Sequence, residues 1–253
     1  MKYHLECAKL SAIVYKDSKT IQNFLINEES FAGATNFTFY DQEGTQALSF
    51  LVSDKLYIAF RGTEPTQLSD IWADLKAWQV KSKYKSGRVH AGFRSALDEI
   101  WENLVSTIIS QSYGREIVIT GHSLGAALAT LCCKRLSQLV DNKITLYTFG
   151  SPRVGGRRWA KKFDTETYRF VNNNDIVTRV PSPILYRHIG QLCYFNHYGN
   201  VRNMGYWQRL KDRWRGFWKA LIKRQGIDWF IDHSMVLYLK KVENNDELLH
   251  SGR

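Results

Sequence analysis

The feature that most constrains the fold of this chain is the segment Ile117–Ala127, where an apolar β-branched run passes directly into a glycine-rich turn. The run Ile117–Ile119 predicts a buried strand, and the small residues after the turn predict a helix. So abrupt a change from strand to helix holds Ser123 in a strained backbone conformation. Gly121 and Gly125 avoid the clashes that bulkier residues would cause beside it. The segment therefore predicts a strand, a sharp turn and a helix at one edge of a sheet.

The rest of the sequence alternates strand and helix patterns in the same way. The chain has 253 residues, of which 44% are apolar, and this is long enough for one α/β domain. No linker or repeat divides it, so we predict a single domain over residues 1–253. The predicted strands are Ala47–Ser53, Lys55–Arg61, Glu116–Thr120, Ile144–Gly150 and Tyr168–Asn172, and the predicted helices are Val89–Ser112 and Leu124–Val140. This alternation predicts a mostly parallel central sheet with helices on both faces. The active crevice of such a sheet lies at the carboxyl ends of its strands.

The N-terminal segment and the cysteines bear on where the protein is found. Glu6 and Lys9 interrupt the apolar positions of the first residues, so we predict an amphipathic helix rather than a signal peptide. No stretch approaches the ~20 apolar residues that span a bilayer. The cysteines lack the spacing of metal ligands and are interpreted as buried free thiols of a reducing compartment: Cys7, Cys132, Cys133 and Cys193. We therefore expect a protein that is cytoplasmic or exported without a leader.

Two residues after Ser123 in the sequence, Asp175 and His233, are candidates to assist a reaction at its hydroxyl. A serine hydroxyl is a poor nucleophile at neutral pH, so it needs a neighbouring base and a carboxylate that orients the base. Asp175 follows the predicted strand Tyr168–Asn172, which places it at the same sheet edge as Ser123, and His233 begins a predicted last helix. The alternative is that Ser123 lies in a tight turn without any chemistry.

Other histidines and aspartates compete for these two roles. His122 lies inside the turn and is predicted to point away from Ser123 into the core, and His90 is predicted to make a structural hydrogen bond. Nothing in the sequence ties His188 or His197 to the end of a strand. The alternative carboxylates fit surface or helix-capping roles: Asp164, Asp228 and Asp232.

Several motifs together resemble the class 3 (fungal-type) lipases of the α/β-hydrolase superfamily. The matching pieces occur in the family's order, and they are Phe60–Thr63, Trp72–Leu75, His90–Phe93, Thr120–Ala127, Phe149–Gly155, Asn174–Val177 and Asp232–Ser234. The resemblance implies an α/β-hydrolase fold with Ser123 as nucleophile, His233 as general base and acid, and Asp175 as the residue that orients His233. It also implies that the backbone N–H groups of Thr63 and Leu124 form the oxyanion hole.

The resemblance further implies a lid over residues 63–78, a short helix that covers the pocket and moves away at a lipid interface. Its apolar residues occur at helical spacing beside Thr63 and would line the lid or the acyl pocket: Leu68, Ile71 and Trp72. The alternative is a packed surface helix.

A basic amphipathic segment spans residues 206–224. The chain has a formal net charge of +11, which favours anionic partners, but it has no recognisable nucleic-acid motif, so nucleic acid is not expected. Aromatic residues fall on one side of a predicted helix, with Arg209 and Arg213 on the other. This pattern is typical of a helix that lies in an anionic membrane surface, although the aromatic side would equally pack on the core. The predicted membrane-facing residues are Trp207, Trp214 and Trp218.

These observations predict a lipase or carboxylesterase that hydrolyses the carboxylic esters of acylglycerols through an acyl-enzyme, with no cofactor and no metal. The basic segment keeps a second activity open, that of a phospholipase A1 or lysophospholipase acting on anionic membranes. A catalytically silent membrane-binding module is the alternative outside the enzymes. The intact set of Ser123, Asp175 and His233 argues against it, because a silent module needs none of the three.

Overall fold

A central β-sheet organises the molecule. The computed structural model describes residues 1–63, 78–85, 87–222 and 232–251, and for residue 85 and residues 216–222 it describes the backbone alone. The strands are β1 (Thr35–Gln42), β2 (Thr45–Val52), β3 (Lys55–Phe60), β4 (Gln79–Lys81), β5 (Arg88–His90), β6 (Glu116–His122), β7 (Ile144–Phe149), β8 (Glu166–Asn172) and β9 (Gln191–Phe195). Strands β4 and β5 form a separate antiparallel pair.

The central sheet has the strand order β1-β2-β3-β6-β7-β8-β9. Strands β1, β2 and β3 pair antiparallel at one side, and β3, β6, β7, β8 and β9 run parallel. In register, Gly121 of β6 lies between Phe60 of β3 and Thr148 of β7. The carboxyl ends of these three strands are therefore level, and the loops that leave them meet at one edge.

Helices cover both faces of this sheet. They are α1 (His4–Ile13), α2 (Ser18–Asn27), α3 (Ala91–Gln111), α4 (Leu124–Leu136), α5 (Arg157–Lys161), α6 (Tyr206–Ile222), α7 (Met235–Asn244) and α8 (Asp246–Ser251). Helices α3 and α4 pack together on one face, and α1 packs with α7 on the other.

The buried residues of β6 show how one strand serves both layers. Ile117 and Ile119 belong to the apolar cluster beneath α3 and α4, whereas Val118 belongs to the cluster beneath α1 and α7. All three are fully buried. Successive side chains of a strand point to opposite faces, so a strand covered on both faces is apolar throughout.

The prediction of a mostly parallel sheet with helices on both faces is confirmed. The predicted strand and helix on either side of Ser123 are present, but α4 ends at Leu136 rather than Val140. The sequence pattern predicts neither β1 nor β9, the two edge strands, because both contain polar or partly exposed positions.

All four cysteines are free and buried, as predicted. Burial raises the pKa of the Cys133 and Cys193 thiols to about 12, so both stay uncharged at neutral pH. Among the helices of the described ranges, none combines the length and apolar character needed to cross a bilayer.

Candidate active site

Ser123 stands at the turn between β6 and α4, and its backbone is strained. Its φ of 58° and ψ of −126° lie where non-glycine residues are rare. The Ser123 N–H donates to the Phe149 carbonyl of β7 at 3.0 Å, and the Ser123 carbonyl accepts from the N–H of Ala126 at 3.1 Å. Hydrogen bonds to a neighbouring strand and to the first turn of the helix therefore hold the strained residue in place.

The two glycines of the turn are needed because helix and strands approach closely there. A Cβ on Gly121 would lie 2.5 Å from the carbonyl carbon and oxygen of Gly125. A Cβ on Gly125 would lie 2.3 Å from the Phe60 carbonyl oxygen of β3. Neither position has space for a side chain, which explains the Gly-x-Ser-x-Gly pattern in physical terms.

The structure brings Ser123, His233 and Asp175 together in one hydrogen-bonded chain. His233 Nε2 lies 2.7 Å from Ser123 Oγ, and His233 Nδ1 lies 2.9 Å from Asp175 Oδ2. The three residues are at most 1% exposed. This geometry holds the imidazole with Nδ1–H towards the carboxylate, which leaves the Nε2 lone pair free to accept the serine proton.

The Asp175 carboxylate accepts hydrogen bonds at both oxygens. The Val177 N–H donates to Oδ1 at 2.9 Å, and the Tyr238 hydroxyl of α7 donates to Oδ2 at 2.6 Å. The Tyr238 oxygen accepts in turn from the Asn172 N–H at the end of β8. Burial and the nearby Asp175 charge raise the pKa of Tyr238 well above its usual value, so it remains a donor. Nothing in the local sequence singles out Tyr238, so the sequence pattern does not predict its role.

His122 is buried, as predicted, and it also supports the triad. Its Nε2 lies 2.7 Å from the backbone carbonyl of His233, and its Nδ1 lies 2.8 Å from the Tyr15 hydroxyl. Burial and the neighbouring His233 lower the pKa of His122 well below its usual value. The ring is therefore neutral, with Nε2–H donating to His233 and Nδ1 accepting from Tyr15.

The competing histidines have other partners. His90 Nδ1 faces the Phe93 N–H at 3.5 Å at the start of α3, and burial lowers the pKa of His90 to about 4. His188 Nε2 bonds the Thr178 carbonyl at 2.8 Å. His197 follows β9, a strand that the sequence pattern does not predict and that ends at Phe195, and its Nδ1 hydrogen-bonds Asp212.

Two of the competing aspartates, Asp164 and Asp232, have side chains that lie outside the hydrogen-bonded chain. Asp164 forms an ion pair with Lys134 at 3.0 Å. Burial raises the pKa of the Asp232 carboxyl, while the Asp232 backbone carbonyl accepts from Asn172 Nδ2. Asp228 lies outside the described residues. A possible ligand set for a metal, His4 with Asp246 and His250, joins α1 to α8 and shares no residue with the triad.

The predicted oxyanion residues come from two segments that meet at Ser123. Leu124 is the first residue of α4, where backbone N–H groups have no partner within the helix. A Cβ on Gly62, which precedes Thr63, would lie 3.3 Å from Ser123 Cβ. The chain that leaves β3 therefore passes close to Ser123 just before Thr63. The predicted lid residues Leu68, Ile71 and Trp72 lie outside the described residues.

The basic helix α6 exposes its aromatic side to solvent and turns a charged side towards the protein. Amphipathic helices usually have the reverse orientation. The side chains of Trp207 and Trp214 are 72% and 57% exposed, whereas Asp212 is 2% exposed. Arg209 and Arg213 share the inner side with Asp212 and are half-buried. The alternative prediction, that the aromatic side of this helix packs on the core, is therefore wrong for the part of α6 whose side chains are described. The side chain of Trp218 lies beyond that part.

The sequence is similar to a lipase family and to several known proteins. The family model described as Lipase (class 3) matches residues 57–184. The chain is 33% identical over 139 residues to the lipase ZK262.3 of Caenorhabditis elegans, which covers 51% of this chain and 39% of that protein. It is 39% identical over 103 residues to the chloroplastic phospholipase A(1) DAD1 of Arabidopsis thaliana, covering 38% of this chain and 23% of that protein.

A solved structure extends the likeness to the fold. The Rhizomucor miehei triacylglyceride lipase superposes with a TM-score of 0.66 at 27% identity, over 76% of this chain and 78% of that chain. The chain spans less than half the length of the two curated relatives. The matched region contains Ser123 and Asp175, both placed by strand ends of an α/β-hydrolase sheet. By this match over half its length and by its shared fold, the chain belongs to the class 3 lipase family.

Proposed function

We propose that this protein hydrolyses the carboxylic ester bonds of acylglycerols, with Ser123, His233 and Asp175 as catalytic residues. The observation that carries the proposal is the hydrogen-bonded chain from Ser123 Oγ through the His233 ring to Asp175 Oδ2. The same constellation supports acyl transfer on unrelated folds, so the geometry itself favours this chemistry. Membership of a lipase family and a solved lipase relative support lipid esters as the substrates.

In the acylation half, Ser123 Oγ attacks the ester carbonyl carbon while His233 Nε2 takes the hydroxyl proton. The carbonyl oxygen becomes an oxyanion, which the N–H groups of Thr63 and Leu124 stabilise. His233 then gives its proton to the alcohol oxygen as the carbon–oxygen bond breaks. The alcohol leaves, and the acyl group remains on Ser123.

In the deacylation half, water reaches the acyl-enzyme and transfers a proton to His233 Nε2 as its oxygen attacks. The second oxyanion forms at the same N–H groups and collapses with loss of Ser123 Oγ, which recovers the proton from His233. Asp175 stays ionised throughout and stabilises the imidazolium that forms twice in each cycle. The products are a carboxylic acid and an alcohol.

The burial of Ser123 and His233 supports a movable cover over the site. Both residues are at most 1% exposed, so a lipid ester reaches Ser123 Oγ only after a covering segment moves. We assign this role to residues 63–78 as the lid, with Leu68, Ile71 and Trp72 as its apolar residues. The lid would open where these residues find an apolar environment at an interface.

The proposal is tested with a fluorophosphonate probe and a panel of esters. The probe should phosphonylate Ser123, read as a mass increase on the peptide that contains it, with loss of fluoride. The wild-type protein should hydrolyse p-nitrophenyl butyrate, triacylglycerol and monoacylglycerol. A folded protein that neither reacts with the probe nor hydrolyses any ester would be a silent module instead. Faster hydrolysis of phosphatidylglycerol than of acylglycerols would favour the second candidate, a phospholipase A1, which the basic helix α6 supports.

We also propose that the protein associates with anionic membranes through the outer side of α6. Trp207, Lys211 and Trp214 succeed one another at spacings of four and three residues, which places them on one side of a helix. All three are exposed. Tryptophan suits the headgroup region of a bilayer, and each nearby cation contributes ~1 kcal/mol at an anionic surface.

Substitutions on this outer side should weaken binding to phosphatidylglycerol vesicles. We expect the double variant Trp207→Ala/Trp214→Ala, and separately Lys211→Gln/Arg215→Gln, to lower the vesicle partition coefficient about tenfold or more in co-sedimentation. The cation variant should lose its difference from the wild type at high salt, since screening weakens both proteins' attraction to the surface.

The matched control for the tryptophans is Tyr113→Ala. Tyr113 is 92% exposed and lies just before β6, at the opposite end of that strand from Ser123. We expect Tyr113→Ala to bind vesicles as the wild type does. Equal losses in the control and in the α6 variants would contradict a docking role for α6.

Gly150, at the end of β7, should be essential to the geometry of the triad. Its φ is +59°, and a Cβ there would lie 2.8 Å from His233 Cε1 and 2.9 Å from Asp175 Oδ2. We expect Gly150→Ala to lower kcat for p-nitrophenyl butyrate by about 10² or more, because displacing catalytic groups by about 1 Å has effects of that order.

Gly114→Ala controls for backbone strain alone. Gly114 has φ +70°, and no atom of the described residues lies within 4 Å of the position that a Cβ would take there. In urea titrations Gly114→Ala should lose roughly 1–2 kcal/mol of unfolding free energy, since alanine is forced into the left-handed region. Gly150→Ala should lose at least as much, because its Cβ also displaces buried side chains. Only Gly150→Ala should lose activity, and comparable kcat values for the two variants would refute the geometric argument.

A further inference from the structure

The interface between α6 and the sheet is built from charged side chains rather than apolar ones. Helix α6 turns Arg209, Asp212 and Arg213 inward. Asp212 accepts from the Tyr194 hydroxyl of β9 at 3.0 Å and from the His197 N–H at 3.1 Å. These bonds dock the helix against β9 and the segment that follows it, and they decide which of its sides faces the protein.

Arginines from four segments converge on this interface. We call this set the arginine cluster, and its members are Arg153 after β7, Arg169 in β8, Arg179 after Asp175, and Arg209 and Arg213 in α6. Arg153 Nη1 donates to the Pro181 carbonyl at 2.7 Å and also to the Arg179 carbonyl. The charge of Arg213 acts on the Tyr194 hydroxyl of β9, which donates to Asp212. The cluster therefore joins α6, two strands and the loop that carries Asp175.

The cluster has more positive charge than its described surroundings neutralise. Within residues 87–222 and 232–251, none of the five guanidinium groups forms an ion pair with a carboxylate. Asp212, the buried acid between them, is already engaged by Tyr194 and His197. Since guanidinium groups stay protonated at neutral pH, the arginines repel one another in this arrangement.

Burial, and secondarily the neighbouring positive charges, lower the pKa of three of these arginines, Arg153, Arg169 and Arg179. Burial, together with the smaller effects of the Arg153 and Arg209 charges, lowers the pKa of Arg169 to about 10. Burial lowers the pKa of Arg179, with Arg213 as the largest neighbouring charge. Burial also lowers the pKa of Arg153, followed by the charges of Arg187 and Arg213. The charges of Arg153, Arg209 and Arg213 thus add to the effect of burial on their neighbours in the cluster.

Three donors of the cluster have no acceptor within the described part of the chain. They are the buried Nε atoms of Arg169, Arg179 and Arg213, which lack a hydrogen-bond partner among the described residues. Buried cationic donors are normally paired, because removing them from water without a partner is unfavourable. An anion with several acceptor oxygens would satisfy the donors and neutralise the charge at once.

We propose that the arginine cluster binds a phosphate group, supplied by a phospholipid headgroup or by free phosphate. Guanidinium groups match phosphate oxygens in charge and in paired hydrogen-bond geometry. Arg179 follows the triad residue Asp175 in the same loop, which places the cluster beside the proposed catalytic residues. A phospholipid headgroup as the source of the phosphate rests on the proposed ester hydrolysis. In that case phospholipids would be a substrate class of the proposed catalytic site.

The first test measures thermal unfolding and does not depend on activity. Inorganic phosphate should raise the Tm of the wild type by about 3 °C relative to chloride at equal ionic strength. Arg213→Gln should lose this increase, and its Tm without phosphate should not fall below that of the wild type, since the substitution relieves repulsion. Arg158→Gln, an exposed arginine of α5, is the matched control and should respond as the wild type does.

The second test compares substrates with and without a phosphate. Arg213→Gln should raise KM for dihexanoyl phosphatidylglycerol about tenfold while leaving KM for p-nitrophenyl butyrate unchanged. Inorganic phosphate should compete with the phospholipid and not with the nitrophenyl ester. If the Tm increase is specific to the cluster but KM values do not separate, the source is free phosphate rather than a headgroup.

Two results would overturn the proposal. One is a Tm increase of the same size in wild type, Arg213→Gln and Arg158→Gln, which is a general salt effect. The other is a lower Tm of Arg213→Gln with an unchanged phosphate response, which is a purely structural role. If Arg213→Gln does not fold, Arg179→Gln gives the same readouts. Absence of any ester hydrolysis by the wild type would reject the proposed function. The thermal unfolding test of phosphate binding would still apply.

Discussion

Replacing Ser123 with alanine is expected to lower kcat for p-nitrophenyl butyrate by a factor on the order of 10⁶. Without Oγ no acyl-enzyme forms, so the whole covalent route is lost rather than slowed. Ser123 Oγ bonds His233 Nε2, and its removal leaves the imidazole and Asp175 in place. The residual rate should come from the remaining oxyanion donors and from substrate binding. Initial-rate assays and fluorophosphonate labelling check this together, and labelling should disappear.

The matched control is Ser49→Ala, another buried serine, whose hydroxyl bonds Tyr40 in the antiparallel part of the sheet. We expect this variant to retain wild-type kcat and labelling. Far-ultraviolet circular dichroism should show that Ser123→Ala is folded. Activity of Ser123→Ala within a factor of ten of the wild type would exclude Ser123 as the nucleophile.

The parts of the site that the sequence predicts are those encoded in short local patterns. The β-branched run, the glycine turn and the helix around Ser123 lie within a few residues of one another, and each restricts the others. Asp175 follows from the same reasoning, because a residue just past a parallel strand must lie at the carboxyl edge. Topology alone then brings residues that are distant in sequence to one place.

The supporting residues could not be predicted, because their roles depend on contacts between distant segments. Tyr238 reaches Asp175 only because α7 packs beside α1 over the sheet. His122 supports the His233 carbonyl, and its other nitrogen bonds Tyr15 from the N-terminal part of the chain. The sequence around His122 would look the same whether or not the histidine had these partners, so it does not predict them.

Helix α6 shows a different limit of sequence reasoning. An amphipathic pattern predicts that one side is buried, and apolar burial usually decides which. Here Asp212 bonds Tyr194 and His197, and those bonds turn the charged side inward. Because the partners lie on β9 and after it, and β9 itself has a weak strand pattern, the orientation of α6 is not readable from its own residues.

Replacing Asp175 with asparagine is expected to lower kcat by about 10⁴ with little change in the fold. Both carboxylate oxygens accept N–H or O–H donors, Oδ1 from Val177 and Oδ2 from His233 and Tyr238. An amide offers one oxygen, so in either orientation its NH₂ group faces a donor. If NH₂ faces His233, the imidazole turns to the tautomer with Nε2–H towards Ser123 and cannot accept the serine proton.

Asp232→Asn is the matched control for this substitution, because Asp232 is an acid adjacent to His233 whose side chain is outside the hydrogen-bonded chain. Its backbone carbonyl, which accepts from Asn172, is unchanged by the substitution. We expect kcat of Asp232→Asn within a few-fold of the wild type. Since both variants remove one negative charge near His233, a loss confined to Asp175→Asn would assign the effect to the hydrogen bond at Nδ1. Equal losses would assign it to the local electrostatic field and remove Asp175 from the orienting role.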